Sequence, residues 1–123
     1  MKKKFLIPVI VVILLFTMTI TAYATQYSCF LQPNQTGEEK TTALYASHSH
    51  YSGSNSVTST NDMILKYQYL RGTWKTIDIK RVDPNQYVYC STVYTDPAGY
   101  FRTKIYSYQY AGGVLGVGTV FDN

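Results

Sequence analysis

Met63-Ile64-Leu65-Lys66-Tyr67-Gln68-Tyr69-Leu70, then Arg71-Gly72-Thr73, then Trp74-Lys75-Thr76-Ile77-Asp78-Ile79-Lys80-Arg81-Val82, is the stretch on which the fold turns. In the first arm Leu65, Tyr67 and Tyr69 alternate with Lys66 and Gln68. In the return arm Ile77 and Ile79 alternate with Thr76, Asp78 and Lys80. Side chains two apart share a face only in an extended chain, so each arm reads as a half-buried strand with one wet side. Gly72 supplies the turn, and the two arms make an antiparallel hairpin.

The same period continues on both sides. β-branched and aromatic residues dominate after Thr25, and no stretch holds apolar residues at helical spacing over three turns. Turn chemistry recurs at 33–37, 52–55, 71–73, 83–85, 96–99 and 112–113. Strands are expected near 26–31, 41–51, 56–60, 63–70, 74–82, 86–95, 100–110 and 114–121. A second hairpin is expected to join Tyr87–Thr95 to Tyr100–Tyr110 through Asp96-Pro97-Ala98-Gly99. On its return arm Phe101, Thr103 and Ile105 share one face. Tyr100, Arg102, Lys104, Tyr106, Tyr108 and Tyr110 share the other. The expectation is an all-β fold, a small antiparallel β-sandwich of immunoglobulin-like kind, following an N-terminal signal-peptide helix.

That leader is read from residues 1–24. Lys2, Lys3 and Lys4 form a basic start, Phe5 to Ile20 is almost wholly apolar, and Ala22-Tyr23-Ala24 places small residues where signal peptidase needs them. Cleavage after Ala24 makes the protein secreted, with residues 25–123 as the mature domain. The membrane is then met only through the leader, before cleavage. An uncleaved anchor is disfavoured, because Thr17, Thr19 and Thr21 shorten a run that must approach ~20 apolar residues to span.

Cleavage also changes the charge argument. The full chain carries a formal +4. Without the three leader lysines, eight cations face seven anions and +1 remains. Total charge therefore gives no support to nucleic-acid binding, which calls for a concentrated basic face.

Cys29 and Cys90 are the two cysteines. An even count in an exported chain points to a disulfide, with two buried free thiols as the alternative. His48 and His50 lie two apart in a strand, a spacing some zinc sites use, but no acid or cysteine nearby in sequence makes a third ligand. Solvated strand histidines are the reading, with no metal and no cofactor. No G-x-S-x-G turn occurs, and Glu38-Glu39 follows Gly37 in an expected loop, so no catalytic residue is assigned and the chain is read as a non-enzyme.

Tyrosine is the unusual feature: 12 of the 13 lie after residue 24. Tyr suits surfaces that are apolar and hydrogen bonding at once. The Tyr100, Arg102, Lys104, Tyr106, Tyr108 and Tyr110 face is therefore the candidate contact patch, for a cell-wall polymer, a glycan or another protein. Packing of these rings in the core or at its rim is the competing account.

Cys29, Trp74 and Cys90 occur in the order of true immunoglobulin domains, but Trp74 lies near the second cysteine and Val88 stands where a tyrosine corner needs Tyr. The run Leu65 to Ile77, followed by Gly99-Tyr100-Phe101-Arg102-Thr103-Lys104, resembles small exported proteins of Gram-positive bacteria over residues 41–110. That resemblance implies a β-sandwich and no particular activity. Ser47-His48-Ser49-His50-Tyr51 looks like the lactococcin 972 group of secreted antibacterial proteins, which implies a bacteriocin-like role as the alternative. The leading expectation is a non-catalytic module acting by surface contact at or outside the cell envelope.

Overall fold

The structure, a computed structural model, describes residues 25–122; the expected signal-peptide helix at 1–24 lies outside the described residues. Seven strands follow one another: β1 (Gln26–Leu31), β2 (Glu39–Lys40), β3 (Leu44–Asn55), β4 (Met63–Arg71), β5 (Thr73–Val82), β6 (Gln86–Ser107) and β7 (Gly116–Phe121). Every pairing is antiparallel, in the order β1-β7-β3-β6-β4-β5, with β2 also on β6. The all-β antiparallel sandwich is therefore what the alternation implied.

The two layers come from one long strand. The first half of β6 pairs with β3, and its second half pairs with β4. One layer is β1-β7-β3-β6 and the other is β2-β6-β4-β5, with β6 passing from the first to the second. The hairpin turn expected at Asp96-Pro97-Ala98-Gly99 therefore does not form, and β6 runs through it. β3 pairs Ala46 with Gly99 and His48 with Tyr94, so one β3 residue stands against four on β6. The segment is absorbed as a bulge, which is where a strand accommodates proline and where it bends to change layers. Gly99 is required there: a Cβ would lie 2.5 Å from the Tyr69 ring.

Three further elements differ from expectation. The turn expected at 52–55 is instead the end of β3, where Ser52 to Asn55 pair with β6 and β7 on either side. The strand expected at 56–60 is a turn, closed by the Ser59 N–H donating to the Ser56 carbonyl at 3.0 Å. The end of the strand expected at 100–110 is a 3₁₀ segment, Tyr108–Tyr110. By contrast, β1 has the expected bounds and the 63–82 hairpin turns at Gly72 as expected, with φ 73° there.

The core lies between the layers. Met63, Leu65 and Tyr67 of β4 and Phe101, Thr103 and Ile105 of β6 are buried, as their period-2 spacing requires. Tyr67 is the centre of an aromatic stack, 4.5 Å from the Tyr51 ring and 5.7 Å from Phe101. Tyr69 adds a further ring 5.0 Å from Phe101. Close approach of the layers depends on Gly53 and Gly118. Cβ atoms there would stand 2.1 Å from Leu65 and 2.7 Å from Ile105.

Strand β5 inverts the expected faces. Ile77 and Ile79 are 43% and 55% exposed, while Asp78 turns inward and accepts a hydrogen bond from the Tyr51 hydroxyl. β5 is an edge strand with a register shift opposite Tyr67/Gln68. Inward charge and a bulge are ways an edge avoids pairing with another chain.

The expected Cys29–Cys90 disulfide does not form, and both thiols are free. Cys29 is level with Gly118, Gly53 and Val88 across β7, β3 and β6, and Cys90 lies two residues beyond Val88. Three strand spacings are about 14 Å, whereas a bridge needs Cα atoms within about 7 Å. Alkylation of the unreduced, denatured protein is expected to modify both cysteines. In the native protein half-buried Cys90 is expected to react well before buried Cys29, whose thiol burial pushes up to about 11. An intact mass showing no alkylation without reductant would contradict this placement.

Candidate functional site

Alternation along β6 puts Tyr100, Arg102, Lys104 and Tyr106 on the outer side of the second layer, opposite buried Phe101, Thr103 and Ile105. Register then decides what stands beside them. Tyr106 pairs with Ile64 and through it with Arg81, Lys104 with Lys66 and with Lys40 of β2, and Arg102 with Gln68. Lys40, Lys66, Arg81, Arg102 and Lys104 therefore share one face. That is five of the eight cations after residue 24.

Aromatic rings hold three of these cations in place. The Arg102 guanidinium lies 4.1 Å from the Trp74 ring and its Nε donates to Gln68 Oε1 at 2.7 Å. Lys66 Nζ is 5.3 Å from the Tyr106 ring. Arg81 lies 3.8 Å from the Tyr108 ring and bonds Asp62 at 2.6 Å. Such contacts fix a cation while leaving much of its charge facing outward. Burial lowers the Arg102 guanidinium, with Glu38 opposing.

The 3₁₀ segment completes one end. Gln109 and Tyr110 both hold a left-handed backbone at φ 56°. This conformation costs a non-glycine residue about 1–3 kcal/mol. It brings the Tyr110 ring onto Tyr106, 4.8 Å away and nearly parallel, and its hydroxyl to Glu38 at 3.3 Å. Glu38 also pairs with Lys104 at 3.2 Å. Burial alone would raise the Glu38 carboxyl, but the Lys104 and Tyr110 bonds outweigh it and hold the group below its ordinary value.

The six residues singled out in the sequence are thus divided. Arg102, Lys104, Tyr106 and Tyr110 form one cluster. Tyr108 turns to Arg81, and Tyr100 packs at a tilt against Tyr45 near the β6 bulge, ring centroids 5.0 Å apart. Lys66 and Trp74 were missed as members. Lys66 was legible as part of the wet face of β4, whereas Trp74 reaches Arg102 only through the β4–β5 register. His48 and His50 both point outward, since Ser49 between them points inward to the Tyr67 hydroxyl. Among the described residues there is no pocket and no group of three His, Cys, Asp or Glu placed to hold a metal. Among them, too, no helix is long and apolar enough to cross a membrane.

No protein-family model matches the chain, and no curated protein matches it. Solved structures of small β-rich proteins share its outline at low identity. The crystal structure of PirA is 15% identical with a TM-score of 0.44, over 80% of this chain and 91% of that one. The Yersinia pseudotuberculosis-derived mitogen is 16% identical with a TM-score of 0.43, over 80% and 83%. The SPBc2 prophage-derived protein YomS is 12% identical with a TM-score of 0.43, over 80% and 95%. None of these likenesses carries an argument about activity.

Proposed function

We propose that this chain is an exported, non-catalytic module that works by surface contact at or outside the cell envelope, with the outer face of β2-β6-β4-β5 against an anionic wall polymer. The observation that carries it is the gathering of five cations on one sheet face, three of them, Lys66, Arg81 and Arg102, braced by Tyr106, Tyr108 and Trp74. Asp62 and Glu38 each pair with one of those cations, so the face stays positive. A net charge near +1 after the leader hides this concentration. The leader pattern at 1–24 and the resemblance to exported Gram-positive proteins support the location.

The test is co-sedimentation of the purified protein with isolated Gram-positive walls. Lys66→Ala and Arg102→Gln are each expected to weaken binding about 5–10-fold, the scale of a contact worth ~1–1.4 kcal/mol. Tyr106→Ala is expected to cost about 1–3 kcal/mol of binding. Raising salt until the Debye length falls to about 3 Å should remove most of the binding. Unchanged binding in all three variants, equal retention by walls stripped of their anionic polymer, or stronger retention by duplex DNA would refute the reading.

A further inference from the structure

The sandwich has a second outer face, on β1-β7-β3-β6, and its chemistry is different. Register places Phe30, Val117, Ser54 and Tyr87 in one row, and Ser28, Thr119, Ser52 and Tyr89 in the next. Gln26, Phe121 and His50 follow. No Asp, Glu, Lys or Arg occupies any of these positions. Yet Phe30, Tyr87 and Tyr89 are 60%, 65% and 53% exposed. The aromatics are arranged rather than scattered. His50 stacks on Phe121 at 5.2 Å, and Tyr89 lies 5.8 Å from each of those rings. The Tyr89 hydroxyl and His50 Nδ1 are 3.4 Å apart.

We infer that this face binds an uncharged polysaccharide chain. A sugar ring offers C–H groups on its faces and hydroxyls at its edge. It is therefore matched by flat rings with neutral hydrogen-bonding groups beside them, here the Tyr87 and Tyr89 hydroxyls, Ser28 and Gln26. Charge pattern decides among occupants. An anionic polymer finds no cation on this face and a dense set on the opposite one. An anionic lipid surface calls for basic side chains around the rings, and none stands in these rows. A stable second copy calls for an apolar centre, whereas Ser54, Ser52 and Thr119 occupy the middle of the patch. Scale makes the ligand a chain. Phe30 and Tyr87 are three strand spacings apart, about 14 Å, and Tyr87 and Tyr89 are about 7 Å apart along β6. No single sugar ring covers both distances.

Affinity electrophoresis of the purified protein through gels containing soluble starch, a β-glucan or a galactomannan tests this. Retardation by at least one of the three is expected, relieved by its oligosaccharides increasingly with length and not by the monosaccharide. Tyr89→Ala and Tyr87→Ala are expected to weaken retention at least 5-fold without changing the melting temperature, while Tyr87→Phe keeps most of it. Lys66→Ala is expected to leave retention intact, which separates this face from the wall-polymer reading. The inference is overturned if none of the three polymers retards the protein. It is overturned equally if only a sulfated polymer does, or if sedimentation shows a dimer that Tyr87→Ala dissociates.

Discussion

Phe101→Ala is expected to destabilise the fold by about 3–5 kcal/mol, the range for removing a large aromatic side chain from a packed core. Phe101 is fully buried, directly after the β6 bulge, where the two layers meet. It pairs with Leu44 on one side and Tyr69 on the other, and stacks on Tyr67. Truncation leaves the Tyr67 and Tyr69 rings without their common neighbour, and interiors relax only partly around such a void. With a domain of this size the midpoint of thermal unfolding should fall by roughly 15–30 °C. Tyr100→Ala, one residue away but on the wet side, is expected to cost no more than about 1 kcal/mol. Urea unfolding of both variants checks the pair. Similar losses at 100 and 101 would mean that the period-2 burial along β6 is wrong.

Alkali should unfold the protein steeply, beginning near pH 9. Three buried acids set this. Burial pushes the Cys29 thiol from 9.0 up to about 11. Burial, together with the bond to Asp78, pushes the Tyr51 phenol well above its ordinary 10.0, and burial does the same to Tyr67. Each group is neutral in the core and ionises more readily in the unfolded chain. Its contribution is complete below the unfolded value and is lost as pH rises toward the folded one. Each proton released on unfolding makes stability fall by about 1.4 kcal/mol per pH unit. The thiol acts alone from about pH 9 to 10, and above pH 10 the three together approach ~4 kcal/mol per unit. Denaturant unfolding from pH 7 to 11 measures the slope. Tyr67→Phe, which removes the phenol while keeping the ring, should make it shallower by about 1.4 kcal/mol per pH unit. Tyrosinate absorbance in the folded protein should show two tyrosines that do not titrate with the rest. If all titrate together near pH 10, Tyr51 and Tyr67 are not buried as described.

Much of the candidate site could be read in the chain because it depends on one strand at a time. Arg102, Lys104 and Tyr106 share a side for the same reason that Phe101, Thr103 and Ile105 share the opposite one. The cationic character of that side was not legible. It arises from Lys40, Lys66 and Arg81, which reach it from three other strands through the β2–β6, β4–β6 and β4–β5 registers. Tyr87 and Tyr89 carried a visible signal, a Tyr-x-Tyr alternation. Its meaning waited on β1 and β7, which bring Phe30 and Phe121 into the same face.

Strand identity, the inward face of β4 and of the second half of β6, and the hairpin at Gly72 follow from local chemistry: period-2 alternation, β-branched residues, and a glycine free to take positive φ. Three features do not. Asp96-Pro97-Ala98-Gly99 has the composition of a turn, yet β3 runs alongside it and makes it a bulge. Ile77 and Ile79 have the hydrophobicity of core residues, yet β5 lies at an edge where Asp78 meets Tyr51. Cys29 and Cys90 have the count for a disulfide, yet β7 and β3 stand between them. In each case the outcome depends on which strand lies next door, and neighbours brought together by long-range pairing leave no mark at the positions they act on.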